Sequence, residues 1–263
     1  MRFPLVLLAG LTALACQTPV ADAFGGAAGR WVDLTHGFGE QTLYWPTDTQ
    51  GFQLTELAHG RTPGGWFYSA YAFASAEHGG THLDAPIHFA EGRSTTDRIP
   101  LARLVGPAAV VDVAARAHAD YQVDVADLLA WEERHGRLPE GAILLLRTGW
   151  SARWPDRARY FGTEAVGPEA VPLLHFPGLH PDAARWLVAE RSVDAVGIDT
   201  PSLDFGQSRD FGSHVALFDA EVPGFENVAG LEHLPATGAF VVALPMKIEG
   251  GSGGPLRIVA WVP

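Results

Sequence analysis

Five short apolar runs punctuate this chain: Ala108 to Val113, Ala142 to Leu146, Ala195 to Ile198, Ala239 to Leu244 and Leu256 to Val262. They are rich in Val, Ile and Leu and bounded by polar or turn residues, as buried strands tend to be. Between them the period changes to that of a helix. Val125 to His135 carries Leu128, Leu129 and Trp131 behind Asp124, a suitable capping acceptor, and Pro181 to Arg191 follows His180 with Trp186 and Leu187 on its apolar side. Strands interspersed with helices predict an α/β fold of packed layers. Upstream, Gly37 to Gly65 reads as irregular. Trp66 to Ala76, with Phe67, Tyr68, Tyr71 and Phe73, reads as a strand leading into the segment richest in chemistry.

That segment runs His78-Gly79-Gly80-Thr81-His82-Leu83-Asp84-Ala85-Pro86-Ile87-His88 and places three histidines and one aspartate within eleven residues. The four-residue step from His78 to His82 would suit one face of a helix, but the paired glycines and Pro86 oppose a helix. In an extended stretch His82 and Asp84 point the same way, and the glycines let the backbone fold back to bring His78 beside them. Imidazole and carboxylate are ligands that zinc or manganese accepts. His88, beyond the stiffening proline, is then either a fourth ligand or an unligated general base. A lone histidine is more often a surface or core residue; this clustering favours a metal site.

Composition bounds the rest. With 47% hydrophobic residues the chain can fill one sizeable core, and no long polar linker divides it, so one domain is expected. A net charge of -12 argues against nucleic acid and anionic membrane surfaces as partners. Met1-Arg2 and the apolar run Pro4 to Ala15 have the length and charge of a secretory leader, too short to span a bilayer. Processing after Ala21-Asp22-Ala23 is preferred, which makes 1–23 the signal peptide and 24–263 an exported, periplasmic domain. The competing site, Ala13-Leu14-Ala15-Cys16, would instead leave a lipid anchor on Cys16. Cys16 is the single cysteine, so the mature domain has no disulfide. A serine or cysteine nucleophile has little support, and no serine nucleophile elbow is expected.

Most of the eight tryptophans and fourteen phenylalanines are assigned to the core, with Trp45, Trp66 and Phe67 singled out as walls for a planar substrate. The loop Gly250-Gly251-Ser252-Gly253-Gly254 lacks the Lys-Ser/Thr of a phosphate cradle and reads as a mobile loop or a close backbone approach. Arg147 and Lys247 are either guides for an anionic product or members of structural salt bridges.

The run His78 to Phe89 resembles the signature of the metal-dependent cyclase-like hydrolases, which include bacterial kynurenine formamidase and isatin hydrolase. Supporting matches are Tyr44-Trp45-Pro46, Leu145 to Trp150, Val196 to Asp204, His214, Glu226-Asn227 and Lys247 to Gly251. The resemblance implies a swivelling β/β/α fold, commonly oligomeric, so a homo-oligomer is expected. It implies that His78, His82 and Asp84 hold one metal and His214 a second, with Asp84 and Glu226 shared. His88 would be the acid/base, and Trp45 a substrate contact. Isatin hydrolases keep the first set around one manganese, so one or two ions, zinc or manganese, are expected. His59 to Trp66 is insertion-like relative to the family. Without the resemblance, His214 reads as a loop residue and Glu226 as a solvated carboxylate in a turn.

A divalent cation lowers the pKa of bound water from ~15.7 to about 7 and polarises a carbonyl, so hydrolysis is the natural output. The expected activity is cleavage of the C–N amide bond of an aryl formamide or a small aromatic cyclic amide, resembling N-formylkynurenine or isatin. Two alternatives stand beside it: a lactone or ester hydrolase on the same site, and a non-catalytic exported protein that binds metal or ligand.

Overall fold

The computed structural model describes residues 29–263. The leader expected over 1–23, with Cys16, lies outside the described residues. The apolar runs become strands: β5 (Val105–Asp112), β7 (Ile143–Arg147), β9 (Ala195–Ile198), β11 (Thr237–Pro245) and β12 (Gly253–Val262). With β1 (Arg30–Asp33), β4 (His82–Asp84) and β10 (Gly224–Glu226) they form an eight-stranded sheet ordered β1-β12-β11-β5-β7-β9-β10-β4. A further pairing between β12 and β4 closes strands β12 to β4 into a barrel, with β1 added on β12.

The segment from β5 through β7 to β9 and β10 is parallel, and its residues alternate between two cores. Leu144, Leu146, Val196 and Ile198 face outward to a layer that includes Leu128, Trp131 and Leu187. Ile143, Leu145, Val110 and Phe225 face inward to the barrel, against Val241 and Ile258. Burial on both faces explains why these strands read as unbroken apolar runs. Each fully buried Leu, Ile or Val contributes roughly 1.5–3 kcal/mol.

The outer layer is built from α1 (Val125–His135) and α3 (Pro181–Glu190), close to the predicted helices. Asp124 and Asp127 form a reciprocal capping box at the start of α1. The His180 side chain accepts from the Asp182 amide to cap α3. The short α2 (Arg157–Phe161) carries Tyr160 and Phe161 into a third core with Leu43, Trp150 and Phe176, and α4 (Gly212–Asp219) packs against α3. The mixed α/β single domain expected from the sequence is therefore present, closed into a strand barrel.

Part of the stretch expected to be irregular is a strand. β2 (Gln53–Arg61) pairs antiparallel with β3 (Phe67–Ala74) in a separate hairpin. An irregularity in register between Glu56 and Ala58 breaks the alternation, so Leu54 and Leu57 are three apart and no period of two is visible. The remaining two-stranded ladder pairs β6 (Gln122–Val123) with β8 (Gly178–Leu179). Among the described residues no helix is long and apolar enough to cross a membrane.

Candidate metal centre

β4 is three residues long, yet it has a strand on each side. His82 lies opposite Glu226 of β10 and Pro255 of β12, and Asp84 lies opposite Gly224 and Gly253. The register therefore puts His82 directly opposite a carboxylate more than a hundred residues away, with Asp84 two positions further along the same strand. His78 folds back over them because Gly80 adopts a left-handed conformation, φ +58°.

The imidazoles are oriented by their neighbours. His82 donates from Nδ1 to the Gly80 carbonyl at 2.9 Å, which leaves Nε2 bare. That nitrogen lies 3.1 Å from Asp84 Oδ1 and 3.4 Å from Glu226 Oε2, is fully buried, and makes no hydrogen bond. His214, carried on α4, has Nδ1 at 2.6 Å from Asp204 Oδ2 and Nε2 at 3.0 Å from Glu226 Oε1 and 3.3 Å from Asp84 Oδ2. His78 Nδ1 lies 2.6 Å from Asp84 Oδ1. Two donor sets result, His78, His82 and Asp84 in one and Asp84, His214 and Glu226 in the other, each with its atoms within 4.8 Å of one another. Asp84 belongs to both, and Glu226 reaches His82 as well as His214.

Burial sets the electrostatics. It would lower His82, but the Asp84 and Glu226 carboxylates outweigh it and raise this imidazole to about 9. His214 is likewise raised well above its ordinary value by Asp204, Asp84 and Glu226, against burial. Asp84 is held well below the usual carboxylate range by His78, His82 and His214, despite burial. Glu226 is pushed up by burial and by the charge of Asp84. Two carboxylates buried together are costly unless positive charge lies between them. The orphaned His82 nitrogen and this mixed nitrogen and oxygen donor set fit a divalent metal.

His88 stands outside both sets. Its ring stacks on His78 with centroids 3.8 Å apart. Burial lowers its pKa to about 4, with Asp84 opposing, so at neutral pH it is an uncharged base. His88 and all five donors line one cavity of about 260 Å³, together with Trp45, Phe89 and Phe211.

Several expectations change. Trp66 and Phe67 do not line this cavity; they lie on the hairpin, 63% and 59% exposed. Nearness in sequence misled here, because the hairpin turns away before β3 returns towards the motif. Arg147 forms a salt bridge with Asp112, and neither Arg147 nor Lys247 lines the cavity. The glycine-rich loop makes the close approach that was one of its two readings: a Cβ on Gly253 would sit 2.5 Å from His78 Cε1. Gly250 to Gly254 also spell Gly-x-Ser-x-Gly, the sequence pattern of the serine nucleophile elbow that was not expected here. Ser252 is followed by β12 rather than by a helix and does not line the cavity, so the nucleophile-elbow context is lacking.

Sequence reasoning assigned no role to Asp204 or Asn227. Asp204 is the partner of His214, and Asn227 donates to the same Gly80 carbonyl that orients His82, at 2.7 Å. Tyr160 in turn donates to Asn227 Oδ1 at 2.9 Å. Asn227 adopts a left-handed backbone, φ +53°, which asparagine tolerates better than most residues.

A barrel with histidines and carboxylates converging at β4 defines a metal-dependent hydrolase scaffold, and comparison with known proteins agrees. Residues 32–205 match the family model described as "Putative cyclase". The chain is 34% identical over 209 residues to isatin hydrolase from Roseibium aggregatum, covering 76% of this chain and 77% of that protein. It is 32% identical over 230 residues to kynurenine formamidase from Salinibacter ruber, covering 87% and 95%. The solved structure of isatin hydrolase A from Ralstonia solanacearum superposes with a TM-score of 0.81 at 33% identity, covering 97% of this chain and 100% of that one. The chain belongs to the cyclase family, and it is a metal-dependent amidohydrolase.

Proposed function

We propose that this enzyme opens the C–N bond of a small, neutral, aromatic cyclic amide of the isatin type. The carrying observation is the cavity: about 260 Å³, walled by Trp45, Phe89 and Phe211, with no Lys or Arg among the described residues that line it. An amino-acid formamide such as N-formylkynurenine brings a carboxylate that would lack a cationic partner there, whereas a fused ring needs only flat apolar walls. The formamide remains the second reading, supported by the relative matched over 95% of its length. Ester or lactone cleavage would use the same groups.

In this reading His78, His82 and Asp84 hold one divalent cation, zinc or manganese, and Asp84, His214 and Glu226 hold a second. When bound, the metal supplies an acidified water and a Lewis acid for the amide carbonyl. His88, neutral and stacked on His78, takes the proton of the attacking water on an imidazole nitrogen and returns it to the departing ring nitrogen. Trp45 and Phe211 hold the ring and keep bulk water from the reacting carbonyl.

The exposed hairpin supports a homo-oligomer as the working form. Leu54, Leu57, Trp66, Phe67 and Phe73 are each more than half exposed. Side chains of this kind are ordinarily covered by another surface.

The test is turnover of isatin, N-formylkynurenine and an aryl lactone by metal-free, zinc and manganese forms, beside His88→Ala. Metal-restored hydrolysis of isatin that falls about 10²–10⁴-fold in the variant, with metal retained, is expected. Full activity of His88→Ala would remove it as the acid/base, and preference for the formamide would shift the substrate class.

A further inference from the structure

We infer that Ser252 and Glu77 form a relay that positions His78 as a metal ligand, with hydrogen on Nε2 and the lone pair of Nδ1 presented towards Asp84. This rests on the metal reading above. Ser252 Oγ lies 2.9 Å from His78 Nε2 and 2.7 Å from Glu77 Oε2, and the Ser252 amide donates to the same Glu77 oxygen at 3.0 Å. A hydroxyl has one hydrogen, and an ionised carboxylate only accepts. The Ser252 hydrogen therefore goes to Glu77, and Ser252 Oγ must accept from His78 Nε2–H. That turns Nδ1, 2.6 Å from Asp84 Oδ1, to the metal side of the ring, where a cation held jointly with Asp84 would take the place of the proton between them.

The loop that carries Ser252 is fixed from both sides. Its carbonyl accepts from the Ala85 amide at 2.8 Å, the Thr96 amide donates to the Gly251 carbonyl at 2.9 Å, and Thr96 Oγ1 lies 3.1 Å from the carbonyls of both Gly251 and Gly253, with one hydrogen to give between them. The glycines provide the clearance. A Cβ on Gly251 would lie 2.7 Å from Glu77 Oε1, and one on Gly253 would lie 2.9 Å from His78 Nδ1. Gly251 and Gly253 are thus explained by the approach of Glu77 and His78 to the backbone, and Ser252 between them is the one polar side chain of the run. Ser252, His78 and Asp84 also have the outline of a nucleophilic triad, but the serine hydrogen is directed at Glu77 and its hydroxyl does not face the cavity. Ser252 and Glu77 are positioning residues: they act on the metal through His78, as carboxylate-backed partners of ligating histidines do.

The experiment is a titration of Zn²⁺ and of Mn²⁺ into metal-free wild type, Ser252→Ala, Ser252→Thr and Glu77→Gln against a chromophoric chelator. Thermal unfolding of each metal-free protein and ¹⁵N-histidine spectra of the zinc-loaded wild type accompany it. Ser252→Ala should bind metal about 10–100-fold more weakly with its metal-free unfolding midpoint unchanged, and Ser252→Thr, which restores the hydroxyl, should recover affinity. Glu77→Gln should fall between wild type and Ser252→Ala, and His78 should carry its hydrogen on Nε2. Undiminished affinity in Ser252→Ala, or a His78 hydrogen on Nδ1, overturns the relay while leaving the metal centre standing. Loss of turnover in Ser252→Ala with affinity intact also overturns it, in favour of a nucleophile. A wild type that binds neither metal overturns the metal reading itself.

Discussion

Asp204→Asn tests how the second donor set is held. The Asp204 carboxylate is buried and takes His214 Nδ1 at 2.6 Å, the His214 amide at 3.1 Å and the Ser213 amide at 3.0 Å. Asparagine keeps the shape, loses the charge, and turns an N–H₂ group towards one set of donors. A hydrogen bond to a charged group contributes about 1.5–3 kcal/mol, and an unsatisfied buried donor adds a comparable cost, so the metal-free fold should lose about 2–4 kcal/mol. His214 also loses the partner that orients Nε2 towards Asp84 and Glu226. Metal affinity should therefore drop about 10–100-fold, equivalent to roughly 1.4–2.7 kcal/mol. Urea unfolding in excess chelator reads the first quantity, and chelator competition reads the second. Affinity within about twofold of wild type, with stability within about 0.5 kcal/mol, would refute the argument that this carboxylate organises the site.

Two further outcomes follow from the same structure. His36 stacks on Trp154, and burial lowers its pKa to about 4 against the pull of Glu232. The unfolded chain, near 6.5, takes up this proton first, so stability is present above about 6.5 and is lost as pH falls towards 4. The loss should amount to about 1–3 kcal/mol, and His36→Gln should flatten the slope in urea unfolding across that window; an unchanged slope counts against it. On the hairpin, the pair Trp66→Ser and Phe67→Ser should lower the mass measured by light scattering, with metal content preserved. A mass identical to that of the wild type would show that these rings do not mediate assembly.

What could be read from the sequence was local. The strands β5, β7 and β9 appear as apolar runs because both of their faces are buried, so continuity of Val, Ile and Leu is visible without knowing the partners. α1 is marked by Asp124 and its helical spacing, and the capping box forms within four residues. His82 and Asp84 share a direction because an extended chain repeats every two residues, and Gly79-Gly80 signals the fold-back of His78. The hairpin strand β2 was missed for an equally local reason, the broken alternation at Glu56 to Ala58.

The rest depended on strand register and packing, which no short window contains. Glu226 meets His82 only because β10 pairs with β4, and His214 meets Asp84 across 130 positions because α4 packs beside the 3₁₀ turn Pro86–His88. Resemblance to the family named His214 and Glu226, but their burial, their orientation and the role of Asp204 came from the fold. Ser252 shows the same division. Its glycine neighbours allowed either a mobile loop or a close approach, and only the pairing of β12 with β4 determined that the backbone comes close to the metal-binding motif and that the serine faces His78. Local periodicity follows from bonded geometry along the chain; a metal centre is made by hydrogen-bond register and burial between segments far apart in it.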